Sequence, residues 1–362
     1  MYNDPMDNRP ASLSVLRLAV ASLLVACSQG ATTTSGFNPT ASSASSTGPT
    51  TATNTSTPTT AGNSTDGGST AGGSSAGSAG ASGSTGTKFD SDPGTTGCTA
   101  VDLLFVVDNS DSMGTYQQAL SSAFPGFAQA MFDALPPGLS VHLGITTTDF
   151  DTACTEQEGT SNCQSTASAD TIVMHYIKPT DFNDGGNGSQ GRLFEFSGQR
   201  FFETTTDDDP APMVTWFSGA ATSAGENGCS FEMPIAAAGW AVHPANTDGP
   251  TAPNKDFLRD EGALLVVFFL TDEPDKSPES KNVYRDMLLD AKAGCGGEAC
   301  IFVAGLIPPC VIDVNQKLWQ FMTLFDPDPA WSSITDTGNY TDLVGTALAD
   351  AVAQACASVP VG

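Results

Sequence analysis

Beyond residue 97 the chain carries three near-continuous apolar runs, at 101–107, 263–270 and 300–306, and a weaker fourth at 139–147. Runs of this length without strict alternation predict strands buried on both faces. Between them the apolar positions recur at helical spacing over 116–134, 233–242, 280–293 and 341–355. Strands alternating with helices predict an α/β fold, a doubly wound and mostly parallel sheet covered by helices on both sides. Residues 149–228 break the pattern, being rich in Gly, Asp, Asn and Thr with Gly185-Gly186-Asn187-Gly188 inside. They read as a long insertion after the second strand, with a short edge strand near 200–204. The folded region is expected over 98–357, long enough for one sizeable core.

The first 97 residues have a different character. Arg9 and Arg17 precede an apolar stretch over 18–25, and Leu24-Val25-Ala26-Cys27 places small residues before a cysteine, as a signal peptidase requires. The arrangement resembles a bacterial lipobox, with residues 1–26 as signal peptide and Cys27 as the lipidated N-terminus. Several acyl chains on one cysteine anchor stably where a single chain would be marginal. From 28 to 87, 51 of 60 residues are Ser, Thr, Gly or Ala, a composition that cannot offset the entropy of folding. Residues 27–97 therefore read as a disordered tether, spanning roughly 40 Å as a flexible coil. No later apolar run approaches the length of a membrane span. Ser28 after the cysteine lacks an inner-membrane retention aspartate, so the expected location is the bacterial cell envelope, lipid-anchored at the outer membrane.

Charge and cysteines agree with export. Forty Asp and Glu against 13 Lys and Arg give a formal charge of −27, which argues against nucleic acid as a partner. With Cys27 assigned to lipid, Cys98, Cys154, Cys163, Cys229, Cys295, Cys300, Cys310 and Cys356 remain, an even set that suggests up to four disulfides. A Cys154–Cys163 bridge would close a short polar loop, and Cys98–Cys356 would clamp the ends of the folded region. Zinc at Cys295 and Cys300 is an alternative, although their spacing matches no paired ribbon motif.

Candidate chemistry begins where the first strand ends, at Asp108-Asn109-Ser110-Asp111-Ser112-Met113. A carboxylate and two hydroxyls at alternate loop positions can converge on a small hard cation. A second acidic loop follows the third apolar strand, at Leu270-Thr271-Asp272-Glu273. In doubly wound sheets, ligands collect at the carboxyl ends of strands flanking the switch in strand order, which gives the two loops a reason to meet.

These residues resemble the metal-ion-dependent adhesion site of von Willebrand factor type A domains, a Rossmann-like fold. The likeness rests on Asp108, Ser110 and Ser112 in a DxSxS pattern after an apolar strand, paired with Leu270-Thr271-Asp272. It implies a sheet of order 3-2-1-4-5-6 with a divalent ion, Mg²⁺ first and Mn²⁺ or Ca²⁺ as alternatives, at its top. Ser110 and Ser112 would ligate directly, and Asp108 and Asp272 directly or through water. The family's threonine-bearing loop corresponds here to Gly228-Cys229-Ser230-Phe231-Glu232-Met233-Pro234, where Ser230 can supply the hydroxyl and Glu232 is the alternative metal ligand. Hydroxyl ligands leave the ion electrophilic, so the implied partner is a protein offering an Asp or Glu carboxylate.

Weaker signals read as structure. Asp207-Asp208-Asp209 suits a solvated loop better than calcium. His142, His175 and His243 sit in no nucleophile or zinc motif, and Asp272, Glu273 and Asp275 lie on no hydrolase-like scaffold. The expected function is thus a noncatalytic, lipid-anchored adhesion protein. A scaffold that binds through the insertion or another face, without metal capture, is the alternative.

Overall fold

The computed structural model describes residues 97–359, apart from 152–153, 155–159, 162, 182–184 and 341–347. The proposed signal peptide, Cys27 and all but the last residue of the tether lie outside the described residues, as does the start of the expected terminal helix. In chain order the elements are β1 (Ala100–Val107), α1 (Gly114–Ala134), β2 (Ser140–Thr147), a small hairpin of β3 (Thr160–Ser161) and β4 (Gln164–Ser165), and α2 (Ala169–Met174). Next come β5 (Phe201–Thr205), α3 (Ala211–Ser223), α4 (Pro234–Val242), α5 (Pro244–Thr247), β6 (Ala263–Leu270) and α6 (Lys281–Ala291). The chain continues through β7 (Ile301–Ile307), α7 (Lys317–Met322), β8 (Ala330–Ser333) and α8 (Leu348–Ser358).

The main sheet has the order β5-β2-β1-β6-β7-β8. Every neighbouring pair is parallel except β2–β5. With the hairpin set aside, this is the 3-2-1-4-5-6 arrangement implied by the resemblance. The unbroken apolar runs follow from burial on both faces. In β1, Val101, Leu103, Phe105 and Val107 pack into one core with α1, α3 and α8, while Leu104 and Val106 join the other with α4, α6 and α7. Alternate residues of β6 divide the same way. Phe105 anchors the first core, its ring centroid 4.7 Å from Phe217 and 5.8 Å from Phe124, which stacks on Phe217 at 3.7 Å.

Within residues 149–228, β5 falls where the short edge strand was expected near 200–204 and pairs with β2, whereas α3, read as insertion, packs into the core with α1. Met213, Trp216, Phe217, Ala220 and Ala221 are the buried residues of α3, and their i, i+3, i+4, i+7, i+8 spacing is a helical stripe. The flanking polar residues mask it in composition.

The expected Cys154–Cys163 bridge is also corrected. Cys154 bonds Cys229 and Cys163 bonds Cys310, with Cα separations of 5.4 and 5.8 Å. The insertion folds back over the domain, so each cysteine meets a different scaffold loop rather than its sequence neighbour. Cys98–Cys356 clamps the domain ends as expected, and Cys295 and Cys300 bond each other, which removes the sulfur ligands from the zinc alternative.

At the opposite end of β1 from Asp108, Asp102 is fully buried and receives the Arg259 guanidinium. Nε donates to Oδ1 at 2.8 Å, and the Arg259 backbone N–H donates to Oδ2 at 3.0 Å. The same guanidinium donates to Ser140 Oγ and to the Val101 carbonyl, so one side chain ties β1, β2 and the chain leading into β6. Lys292 Nζ donates to the Arg259 carbonyl, and burial holds its ammonium down to about 8.

Arg259→Met leaves a buried carboxylate unpaired and is expected to lower unfolding free energy by about 3 kcal/mol, measured by urea denaturation. The Asp102→Asn, Arg259→Met double variant is expected to lose less than the sum of the singles. Loop-closure entropy over separations of 258 and 5 residues predicts that removing Cys98–Cys356 costs about 5 kcal/mol and removing Cys295–Cys300 about 2. Thermal denaturation of the paired serine variants checks that ranking.

Candidate metal centre

Three loops converge above the carboxyl ends of β1, β2 and β6. Pairing of β1 with β6 continues one step past the strand, where the Asp108 N–H donates to the Leu270 carbonyl at 2.8 Å. Asp108 is therefore set beside Thr271, whose Oγ1 donates to Asp108 Oδ2 at 2.7 Å. The Ser110 N–H donates to Asp108 Oδ1 at 2.9 Å, curling the loop back over the carboxylate. Gln117 of α1 pins the turn from behind, donating through Nε2 to the carbonyls of Asp108 and Gly225. Ser110 Oγ lies 3.4 Å from Ser112 Oγ, and Ser112 hydrogen-bonds the Asp272 carboxylate. Asp108, Ser110, Ser112 and Asp272 thus lie in one hydrogen-bonded group.

The α3–α4 loop supplies the third side. Gly228 donates to the Asn109 carbonyl at 2.8 Å, and a Cβ at Gly228 would collide with the Asn109 side chain at 2.6 Å. Asn109 Nδ2 in turn donates to Asp149 Oδ2 at 2.9 Å, and the Cys229 N–H donates to Asp149 Oδ1 at 2.7 Å. Ser230 is buried in this loop, its carbonyl accepting from Lys276 Nζ at 2.6 Å. Glu232 has no solvent exposure. Its Oε2 accepts from Thr148 Oγ1, and its Oε1 has no hydrogen-bond partner.

Charge is concentrated here beyond what the protein neutralises. Burial, and secondarily the charge on Asp272, push the Asp108 carboxyl up to about 7. Burial also raises Glu232 well above the ordinary carboxylate range, with Asp108 and Asp149 adding to the rise. Asp149 and Asp272 are raised chiefly by burial. Lys276 is the neighbouring cation, and it is ion-paired with Glu273. Asp272 Oδ1, like Glu232 Oε1, is buried without a hydrogen-bond partner. Orphaned carboxylate oxygens of this kind are costly unless something positive meets them. An all-oxygen donor set with two such atoms fits a hard divalent cation.

Asn109, Asp149, Thr148 and Lys276 were not legible as site residues. For Asp149 a signal existed, since Thr146-Thr147-Thr148-Asp149 ends β2 much as Asp108 follows β1.

The remaining candidates resolve into structure. His142 hydrogen-bonds the Phe257 carbonyl, His175 meets Asp151 and stacks on Phe231, and His243 accepts from the Ala245 N–H at the start of α5. Asp208 accepts from Thr204 and Thr205, and Asp209 from the Ala211 N–H, so the aspartate run closes a turn and starts α3. Asp275 accepts from the Ile235 N–H at the start of α4. Among the described residues, Cys154, His175 and Cys229 offer ligand atoms within 4.8 Å of one another, but the two sulfurs are bonded together.

No protein-family model matches the sequence, and no curated protein matches it. Among solved structures, the chain is similar to a von Willebrand factor type A protein from Catenulispora acidiphila, at 11% identity and a TM-score of 0.33, over 69% of this chain and 42% of that one. It is also similar to proximal thread matrix protein 1 from the mussel byssus, at 10% identity and a TM-score of 0.33, over 69% of this chain and 48% of that one. The chain spans less than half the length of either. The α/β architecture, a mostly parallel six-stranded sheet flanked by helices, stands on the strand order itself.

Proposed function

We propose that this chain is a noncatalytic binding protein of the von Willebrand factor type A kind, which recognises a partner protein through a divalent cation at the top of its sheet. The observation that carries this reading is the pair of orphaned buried oxygens, Asp272 Oδ1 and Glu232 Oε1, beside the DxSxS loop. Asp108, Ser110, Ser112 and Asp272 would hold the ion, with Ser230, or Glu232 as the alternative ligand, on its third side. A bound cation supplies a Lewis-acid position that an oxygen donor from a partner can fill. The residues of this chain provide the rest. Gln117 and Asn109 keep the loops in place, and Lys276 holds the Ser230 carbonyl.

Lipid attachment at Cys27, with residues 27–97 as tether, would hold the domain away from an envelope membrane. Among the described residues no helix is long and apolar enough to cross a membrane. One observation favours the metal-independent alternative. Val173 and Met174, at the end of α2 in the insertion, are 57% and 67% exposed, an apolar contact that a partner could use without the ion. Asp108→Ala separates the two readings, because it abolishes partner capture in the first and spares it in the second.

Calorimetric titration with Mg²⁺, Mn²⁺ and Ca²⁺ is expected to show saturable binding at one site, lost in Asp108→Ala and Ser110→Ala. Absence of binding to folded protein would overturn the metal-dependent reading. Binding requires the ionised Asp108 carboxylate, so affinity is expected to fall by about tenfold per pH unit below about 7. The metal-free protein behaves oppositely. Its Asp108 sits above the ordinary 3.8, so the stability contributed by the protonated carboxyl is full below pH 3.8 and is lost as pH rises through about 7. Thermal unfolding at pH 5 and pH 8, with and without the ion, is expected to show the larger ion-induced stabilisation at pH 8.

A further inference from the structure

A cleft of about 810 Å³ opens between α5, the chain that leads from it towards β6, and one face of α6. It lies beside the amino end of β6, because Asp260 on its wall shortly precedes Ala263, the first residue of that strand. The candidate metal centre begins past the other end of the strand, roughly 25 Å away along eight residues. One wall is fixed by the buried Asn254, whose side chain donates to the Gly191 and Ala241 carbonyls and accepts from the Leu193 N–H. The other is a single helical face, with Val283, Asp286, Met287 and Asp290 at i, i+3, i+4 and i+7. Tyr284 and Leu288 of the same helix are buried in the core.

Charge in the cleft has one sign. Asp248, Asp256, Asp260, Asp286 and Asp290 line it, and no Lys or Arg does. Among the described residues, Asp286 and Asp290 make no ion pair, and Asp256 is met only by Lys255 at 3.8 Å, with both side chains largely exposed. The basic residues of α6 are turned to other partners, Lys281 donating to Gln320 and Arg285 to Glu298. The Lys292 ammonium acts on Asp260 but is buried and donates to the Arg259 carbonyl. Burial holds the His243 imidazole below its ordinary value, so it adds no charge here at neutral pH. The surface between the carboxylates is apolar, made by Leu258, Met287 and Val283, the last 38% exposed.

We infer that this cleft is a docking groove for a short basic segment of a partner protein, independent of the metal centre. An apolar floor within a rim of carboxylates matches the two-part chemistry of Lys and Arg side chains. Their aliphatic stems cover apolar surface while the charged heads stay at the wet edge. Here the stems lie on Val283, Met287 and Leu258, and the heads reach Asp248, Asp260, Asp286 and Asp290. The volume is that of a site which buries a ligand larger than one side chain, so two or three neighbouring residues of one segment fit. A groove already held open by Asn254 spares the bound segment the cost of shaping it.

The test is fluorescence anisotropy of a labelled Lys-Arg-Leu-Lys-Arg-Leu peptide titrated with the full chain in chelator. About 150 mM NaCl is present, which largely screens exposed charges more than a Debye length apart. Saturable binding is expected, absent for the peptide with Gln at every basic position. The Asp286→Asn, Asp290→Asn double variant is expected to weaken binding about fivefold, the scale of two partly exposed ion pairs. Val283→Ser is expected to weaken it as well, through loss of the apolar floor. Asp133→Asn with Asp350→Asn makes the same charge change on α1 and α8, across the sheet, and is expected to leave binding unchanged, as is Asp108→Ala. Equal weakening by the two double variants would show attraction to the acidic surface at large and overturn the inference. Loss in Asp108→Ala, binding of the Gln peptide, or no binding by folded wild type would overturn it too, and displacement of the peptide by spermidine at equal concentration would overturn a protein partner. None of these outcomes bears on metal binding at Asp108, which the metal titrations decide.

Discussion

In-register parallel pairing of β1 with β6, from Ala100 opposite Ala263 to Val107 opposite Leu270, is the constraint on which the rest of the molecule depends. Both strands are wholly buried and lose their apolar cover together, at the same height. The next residues, Asp108 and Thr271, are consequently neighbours with a hydrogen bond between them. A shift of one residue would turn every β6 side chain to the opposite face and put a core residue where Thr271 meets Asp108. Convergence of the acidic loops is therefore a consequence of core packing rather than of any attraction between carboxylates, which repel.

That repulsion has to be contained, and the scaffold contains it with neutral donors. Backbone N–H groups of Ser110 and Cys229, the Thr271 and Thr148 hydroxyls and the Asn109 amide each meet a carboxylate oxygen, and Lys276 is the nearby ammonium. The far end of β1 is handled differently, since Asp102 receives a full guanidinium. One buried acid is thus paired within the protein while the opposite group is left short of positive charge. This asymmetry along a single strand is one support for the proposed cation site.

The insertion is fastened to the same region. Cys154 joins it to Cys229, next to Ser230, and His175 of the insertion stacks on Phe231 at 4.2 Å. The loop that carries Ser230 and Glu232 is therefore braced from outside by the insertion and from inside by Asn109 and Asp149.

Hydrophobic periodicity alone determined the α/β class, the central strands and most of the helices, because strands buried on two faces must be apolar at nearly every position. The strand ends marked where to look, and the carboxylate and hydroxyl pattern after them made Asp108, Ser110, Ser112 and Asp272 the candidates. The helical stripe of α3 was present but diluted by polar neighbours, so the scaffold part of 149–228 was read as insertion. Only the tertiary structure decided the Cys154–Cys229 and Cys163–Cys310 pairings, the placement of Asp149 and the burial of Glu232 beside Asp108. Each depends on which loops meet across the top of the sheet, and such contacts join residues tens of positions apart through packing that leaves no local period in the chain.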